Sequence, residues 1–94
     1  MLEFGGIGGN CPVQSEGKWY GRPYYFRARG DSMQMHIAVN ADTEALDDDA
    51  WYYEEDFGDG PYDAGWAEHH ECLAFMARAF SKWNEDHPLN GHAR

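Results

Sequence analysis

From Tyr24 to Val39 the side chains alternate in character at every second residue. Tyr24, Tyr25, Phe26, Arg27, Ala28 and Arg29 switch between apolar and polar, and Met33, Met35, Ile37 and Val39 are interleaved with Gln34, His36 and Ala38. A period of two places such residues on one face of a pleated strand. Gly30-Asp31 predicts a turn between these two strands, and Gly21-Arg22-Pro23 predicts another turn after a strand running from Val13 to Tyr20. Three antiparallel strands in a meander follow. Exposing Tyr24, Phe26, Met33, Met35 and Ile37 together would leave a large apolar patch, so one face of the meander needs a cover.

The cover is legible where the period changes. Trp66, His69, Leu73, Met76, Phe80 and Trp83 recur at spacings of three or four and predict one stripe of an α-helix. Asp63 is the expected N-cap, with Glu68 and Glu71 near the positive end of the helix dipole, Arg78 and Lys82 near the negative end, and Pro88 beyond it. Cys72, Phe75 and Ala79 are expected on a flank wide enough to touch a protein partner or a second copy in a homodimer. Ninety-four residues hold one domain and one core. The chain therefore reads as α+β: a three- or four-stranded antiparallel meander packed by one C-terminal helix. Residues 1–10 are expected to be a flexible lead-in, residues 11–88 a single domain, and residues 89–94 a flexible tail.

Between sheet and helix lies an unusual segment. Asp42, Glu44, Asp47, Asp48, Asp49, Glu54, Glu55, Asp56, Asp59 and Asp63 fall within residues 42–63, which contain no basic residue. They are ten of the seventeen acids in a chain of formal charge −10. Hydrophobic residues at 43% and aromatics at 16% exclude a disordered acidic tail. Trp51, Tyr52, Tyr53, Phe57 and Tyr62 lie among the acids, so Ala50 to Phe57 is expected to be a fourth strand or an ordered loop anchored by alternate aromatics. Such a field repels phosphate and anionic lipid and attracts basic surfaces, which argues against nucleic acid or membrane as direct partners. The sequence has no apolar run of about 18 residues and no signal-peptide pattern at its start, so a cytoplasmic setting is expected. Cys11 and Cys72 show no CxxC spacing. Reduced thiols are expected, with a Cys11–Cys72 bridge as the alternative.

Motifs that would carry chemistry are incomplete. Asp47-Asp48-Asp49 with Glu54 and Glu55 resembles a hard-cation cluster but fails the EF-hand spacing. His69, His70 and Cys72 lie close together without HExxH spacing, and they lack the third orienting group that thiol catalysis uses. Asp56-Phe57-Gly58 lacks the rest of a kinase, Arg29-Gly30-Asp31 is explained by the strand turn, and the glycines at 5, 6, 8 and 9 do not form GxGxxG. No catalytic residue, metal or cofactor is expected, and the chain is read as a non-enzyme.

The stretch Glu16-Gly17-Lys18-Trp19-Tyr20-Gly21-Arg22-Pro23-Tyr24-Tyr25-Phe26-Arg27-Ala28-Arg29-Gly30-Asp31 resembles a hairpin of small phage and prophage proteins, in which a strand pair precedes a third strand and a helix. Small acidic phage proteins of this outline include anti-CRISPR proteins, and the chain is similar to these. The resemblance implies an inhibitor that binds a CRISPR effector, most readily of type I, where basic residues would otherwise contact target DNA. Carboxylates then stand in for phosphates. The expected partner-binding residues are Asp47, Asp48, Asp49, Glu54, Glu55, Asp56 and Asp59, with Trp51, Tyr53 and Phe57 at the interface centre. The alternative is a non-enzymatic phage adaptor or dimerisation module that binds a protein partner through the helix flank at Cys72 and Phe75.

Overall fold

A computed structural model describes residues 2–8, 13–57 and 68–87. The elements run β1 (Leu2–Phe4), β2 (Val13–Trp19), β3 (Arg22–Arg29), β4 (Ser32–Ile37), β5 (Trp51–Asp56) and α1 (His69–Asp86). The five strands form one antiparallel sheet in chain order, with α1 against one face. The fold is the α+β arrangement that the two periods predict, with one strand more than expected.

That extra strand is β1, in the segment expected to be a flexible lead-in. Leu2, Glu3 and Phe4 pair with Trp19, Lys18 and Gly17. All three are exposed, so backbone pairing holds this edge more than apolar burial does. Gly17 permits the close approach, because a Cβ there would run into the carbonyl oxygen of Glu3 and crowd the ring of Tyr24.

The first hairpin turns earlier than expected. Trp19 pairs with Arg22, so Tyr20 and Gly21 form the two-residue turn, with φ of 50° and 78°. Positive φ at both central residues is the requirement of a type I′ turn, whose twist matches that of the flanking strands. A tyrosine in this region is strained. Its ring is held against Trp83, with centroids 6.1 Å apart and nearly parallel planes. Arg22 and Pro23 consequently belong to β3, and Pro23, near the strand's start, uses its carbonyl to accept the Ala38 N–H.

The helix presents a different arc from the one its widest-spaced apolar residues suggest. Cys72, Phe75, Met76, Ala79, Phe80 and Trp83 are buried, whereas His69 and Leu73 are exposed. The supposed flank is thus the centre of the contact, and it is not available for a second subunit or partner. Cys72 and Ala79 are small enough to let the helix approach the sheet. Phe75 fills the space between Phe26 and Tyr53, at centroid distances of 5.6 and 5.8 Å, and Phe80 stacks on Trp19 at 4.2 Å. Fully burying one such side chain contributes roughly 1.5–3 kcal/mol.

Glu68 is the N-cap, and its N–H donates to the Glu71 carboxylate at 2.8 Å. Asp63, Trp66 and Pro88 lie outside the described residues, as do residues 89–94. The last turn carries no basic side chain. Lys82 lies a turn earlier, 3.8 Å from Glu85. The His87 N–H closes the helix end by donating to the Trp83 carbonyl oxygen at 2.9 Å. Among the described residues, no helix is long and apolar enough to cross a membrane.

Candidate functional site

The acidic segment is built from two ordered pieces. The first is the connection 38–50, whose path follows from short polar side chains that bond to nearby backbone. The Asp42 N–H donates to Asn40 Oδ1 at 2.8 Å, the Thr43 hydroxyl donates to the Asn40 carbonyl at 3.2 Å, and the Glu44 N–H donates to Asp47 Oδ2 at 3.3 Å. The Ala50 N–H then donates to the Asp47 carbonyl at 3.1 Å, and Ala45 is buried. Asp42, Glu44, Asp47, Asp48 and Asp49 are all exposed on this connection.

The second piece is β5, the fourth-strand alternative for Ala50 to Phe57. It pairs with β4 from Trp51 opposite Ile37 to Asp56 opposite Ser32. Its pleat divides the expected binding residues. Trp51, Tyr53 and Glu55 lie on the helix side and are partly buried, whereas Tyr52, Glu54 and Asp56 are exposed on the other side. The Trp51 indole donates to Asp86 at 3.0 Å, and Tyr53 stacks on Phe75 and donates its hydroxyl proton to Glu55 at 2.6 Å. Phe57 packs against the core, and its N–H donates to the Asp31 carbonyl at 2.8 Å. Trp51, Tyr53 and Phe57 are therefore spent on the protein's own core and do not form a free interface centre. Asp59 lies outside the described residues.

Glu55 is also answered internally. Arg78 Nε and Nη2 donate to its carboxylate at 2.8–3.2 Å, in forked geometry. These bonds, with the Tyr53 hydroxyl adding to them against the effect of burial, hold the Glu55 carboxyl below its ordinary range. The bond to Glu55, followed by burial, raises the Tyr53 phenol. Of the acids within 42–57, Glu55 alone has a cationic partner among the described residues. Asp42, Glu44, Asp47, Asp48, Asp49, Glu54 and Asp56 remain as an exposed anionic surface. These carboxylates are spread over the connection and the outward side of β5, with Glu44 beside β2 and β3 and Asp49 beside Trp51, Trp83 and His87.

The outward sheet face carries a feature that composition did not reveal. The register aligns Tyr25, His36 and Tyr52 across β3, β4 and β5, with ring centroids 6.2 and 4.8 Å apart. Alternation within each strand puts these residues opposite the core, but only strand pairing makes them neighbours. Burial, with a smaller contribution from Arg27, lowers the His36 imidazole below its ordinary 6.5. Tyr52 is pushed up to about 12 by partial burial and by the 2.7 Å bond that it donates to Glu54.

The remaining chemical candidates separate. Cys72 is a free, fully buried thiol pushed up to about 11, mainly by burial and further by Glu71, the opposite of an activated nucleophile. His69 and His70 are exposed outside that packing. Cys11 lies outside the described residues. No group of three or more His, Cys, Asp or Glu positioned to hold a metal occurs among the described residues. Comparison of the chain with protein-family models, with curated proteins and with solved structures gave no match.

Proposed function

We propose that the protein is a non-enzymatic binder whose anionic surface occupies a basic, nucleic-acid-binding face of another protein. The observation behind this reading is the set of exposed carboxylates at Asp42, Glu44, Asp47, Asp48, Asp49, Glu54 and Asp56, none with a cationic partner among the described residues. They sit on paired strand and hydrogen-bonded turns, so little ordering cost accompanies binding. A solubilising surface would need fewer charges, and their mutual repulsion costs stability. Tyr52, 46% exposed among these carboxylates, supplies the aromatic contact in place of Trp51, Tyr53 and Phe57.

The resemblance of residues 16–31 to hairpins of small phage proteins makes the DNA channel of a CRISPR effector the partner to test first. In that setting the protein acts as an anti-CRISPR inhibitor, its carboxylates taking the Lys and Arg contacts that phosphates would otherwise make. The adaptor reading loses its surface, because Cys72 and Phe75 are fully buried.

A pull-down against purified type I effector complexes at low and high salt, followed by competition with target DNA, tests this reading. Binding is expected at low salt, with weakening as salt screens the contact and displacement by DNA. The triple variant Asp48→Lys, Asp49→Lys, Asp56→Lys is expected to lose binding while its melting temperature moves by only a few degrees, since each surface change is worth about 0.5 kcal/mol or less. Parent-like binding by that variant overturns the assignment.

A further inference from the structure

On the outward side of the sheet the connection folds back over β2 and β3 and borders an open cleft of about 660 Å³. Its lining includes Glu16, Lys18, Tyr25, Glu44, Ala45 and Leu46. The volume is within the range of small-molecule sites and accommodates a long side chain. Tyr25 contributes a half-buried ring, and the two carboxylates come from separate elements, Glu16 from β2 and Glu44 from the connection. Neither has an ion-pair partner among the described residues. Leu46 is 62% exposed, which leaves apolar surface at the cleft for an aliphatic stem.

The charge of the lining selects the occupant. Lys18 also lines the cleft, so its single positive charge stands against the two carboxylates of Glu16 and Glu44, and the lining keeps a net negative charge. Arg27 holds its guanidinium 5.9 Å from the Tyr25 ring centroid, at the limit of a cation–π contact, and donates to Gln34 at 3.4 Å, so an incoming cation has to use the part of the ring that Arg27 leaves open. A guanidinium is flat, weakly hydrated and stacks on aromatic rings, and its fork of donors can serve two carboxylates at once. An ammonium does none of these as well.

We propose that this cleft takes an arginine side chain of the basic partner, laid against Tyr25 between Glu16 and Glu44. The inference rests on the anionic-surface reading and adds to it a preference for arginine over lysine, which net charge alone would not give.

Nuclear magnetic resonance titration of the whole chain with an arginine hexapeptide, a lysine hexapeptide and a citrulline hexapeptide tests it. Arginine peptide is expected to shift the amides of Lys18, Tyr25, Glu44 and Ala45 and to bind about fivefold tighter than lysine peptide, with no binding of the uncharged citrulline peptide. The double variant Glu16→Gln, Glu44→Gln, conservative in shape at two exposed positions, is expected to erase the arginine preference. Tyr25→Leu is expected to weaken the arginine peptide about threefold. Shifts confined to Asp47, Asp48 and Asp49, or equal affinity for arginine and lysine peptides, overturn the cleft and leave the anionic-surface reading standing. Failure of both cationic peptides to bind counts against both readings.

Discussion

The two sides of β5 are made from one run of six residues, and they have opposite fates. On the helix side, Trp51 bonds to Asp86, Tyr53 stacks on Phe75, and Glu55 is forked by Arg78. On the other side, Tyr52, Glu54 and Asp56 are exposed, and the bond between Tyr52 and Glu54 is confined to that side. Each side has at least one aromatic and one carboxylate, so composition cannot tell a residue that builds the fold from one free to meet a partner. The pleat and the position of the helix tell them apart.

The two sides of β5 should differ most at their tyrosines. Tyr53→Ala removes a ring packed on Phe75 and leaves a cavity, so a loss of about 2–4 kcal/mol is expected, whereas Tyr52→Ala should cost less than about 1 kcal/mol. Chemical denaturation of both variants measures the gap, and equal losses would mean that the two sides are not energetically distinct.

The carboxylates give a smaller contrast. Glu55→Gln weakens the charge-assisted fork and is expected to cost about 1 kcal/mol, a value reduced because Arg78 is itself 54% exposed. Asp56→Asn should lie within about 0.5 kcal/mol of the parent and lower partner affinity instead. A destabilised Asp56→Asn protein would reveal an internal role for the outward side.

The smallest effect is a dependence on pH that involves both sides. His36 on the outward face and Glu55 on the helix face are each lowered in the folded state. For either group the unfolded chain binds the proton more readily, so its contribution is fully present above the unfolded value and lost as pH falls through the folded one. Stability is expected to decline first below the ordinary His value of 6.5 and again below the ordinary Glu value of 4.5. In denaturation measured across pH, His36→Phe should flatten the upper decline and Glu55→Gln the lower one. Persistence of the upper decline in His36→Phe would assign it elsewhere.

Much of the fold is legible because its periods are clean. The alternation through Tyr24–Arg29 and Met33–Ile37 marks two strands, and the Gly30-Asp31 turn joins them with Gly30 at φ 65°. Three features escape the sequence for separate physical reasons. Leu2–Phe4 pairs through backbone atoms, which no side-chain period reports. The turn at Tyr20-Gly21 depends on ring packing against Trp83, a residue far along the chain, to hold a tyrosine at positive φ. Two apolar arcs overlap on α1 at Met76, Phe80 and Trp83, and the choice between Leu73 and Phe75 is made by the sheet: Phe75 reaches Phe26 and Tyr53, while Leu73 remains 44% exposed. The anionic surface is legible as a charge cluster. The row Tyr25–His36–Tyr52 and the cleft beneath Leu46 arise only from strand register and the folding back of residues 43–46, neither of which has a local signal.

The burial of Cys72 gives the helix–sheet contact its own clock. Its sulfur is sealed beneath α1 and is protonated at neutral pH, so alkylation has to wait for the helix to lift. In a chain whose other thiol has been replaced by Cys11→Ser, the rate of labelling under native conditions reports how often that opening occurs. A partner that holds the connection and β5 in place would register as a slower tick at a sulfur it never touches.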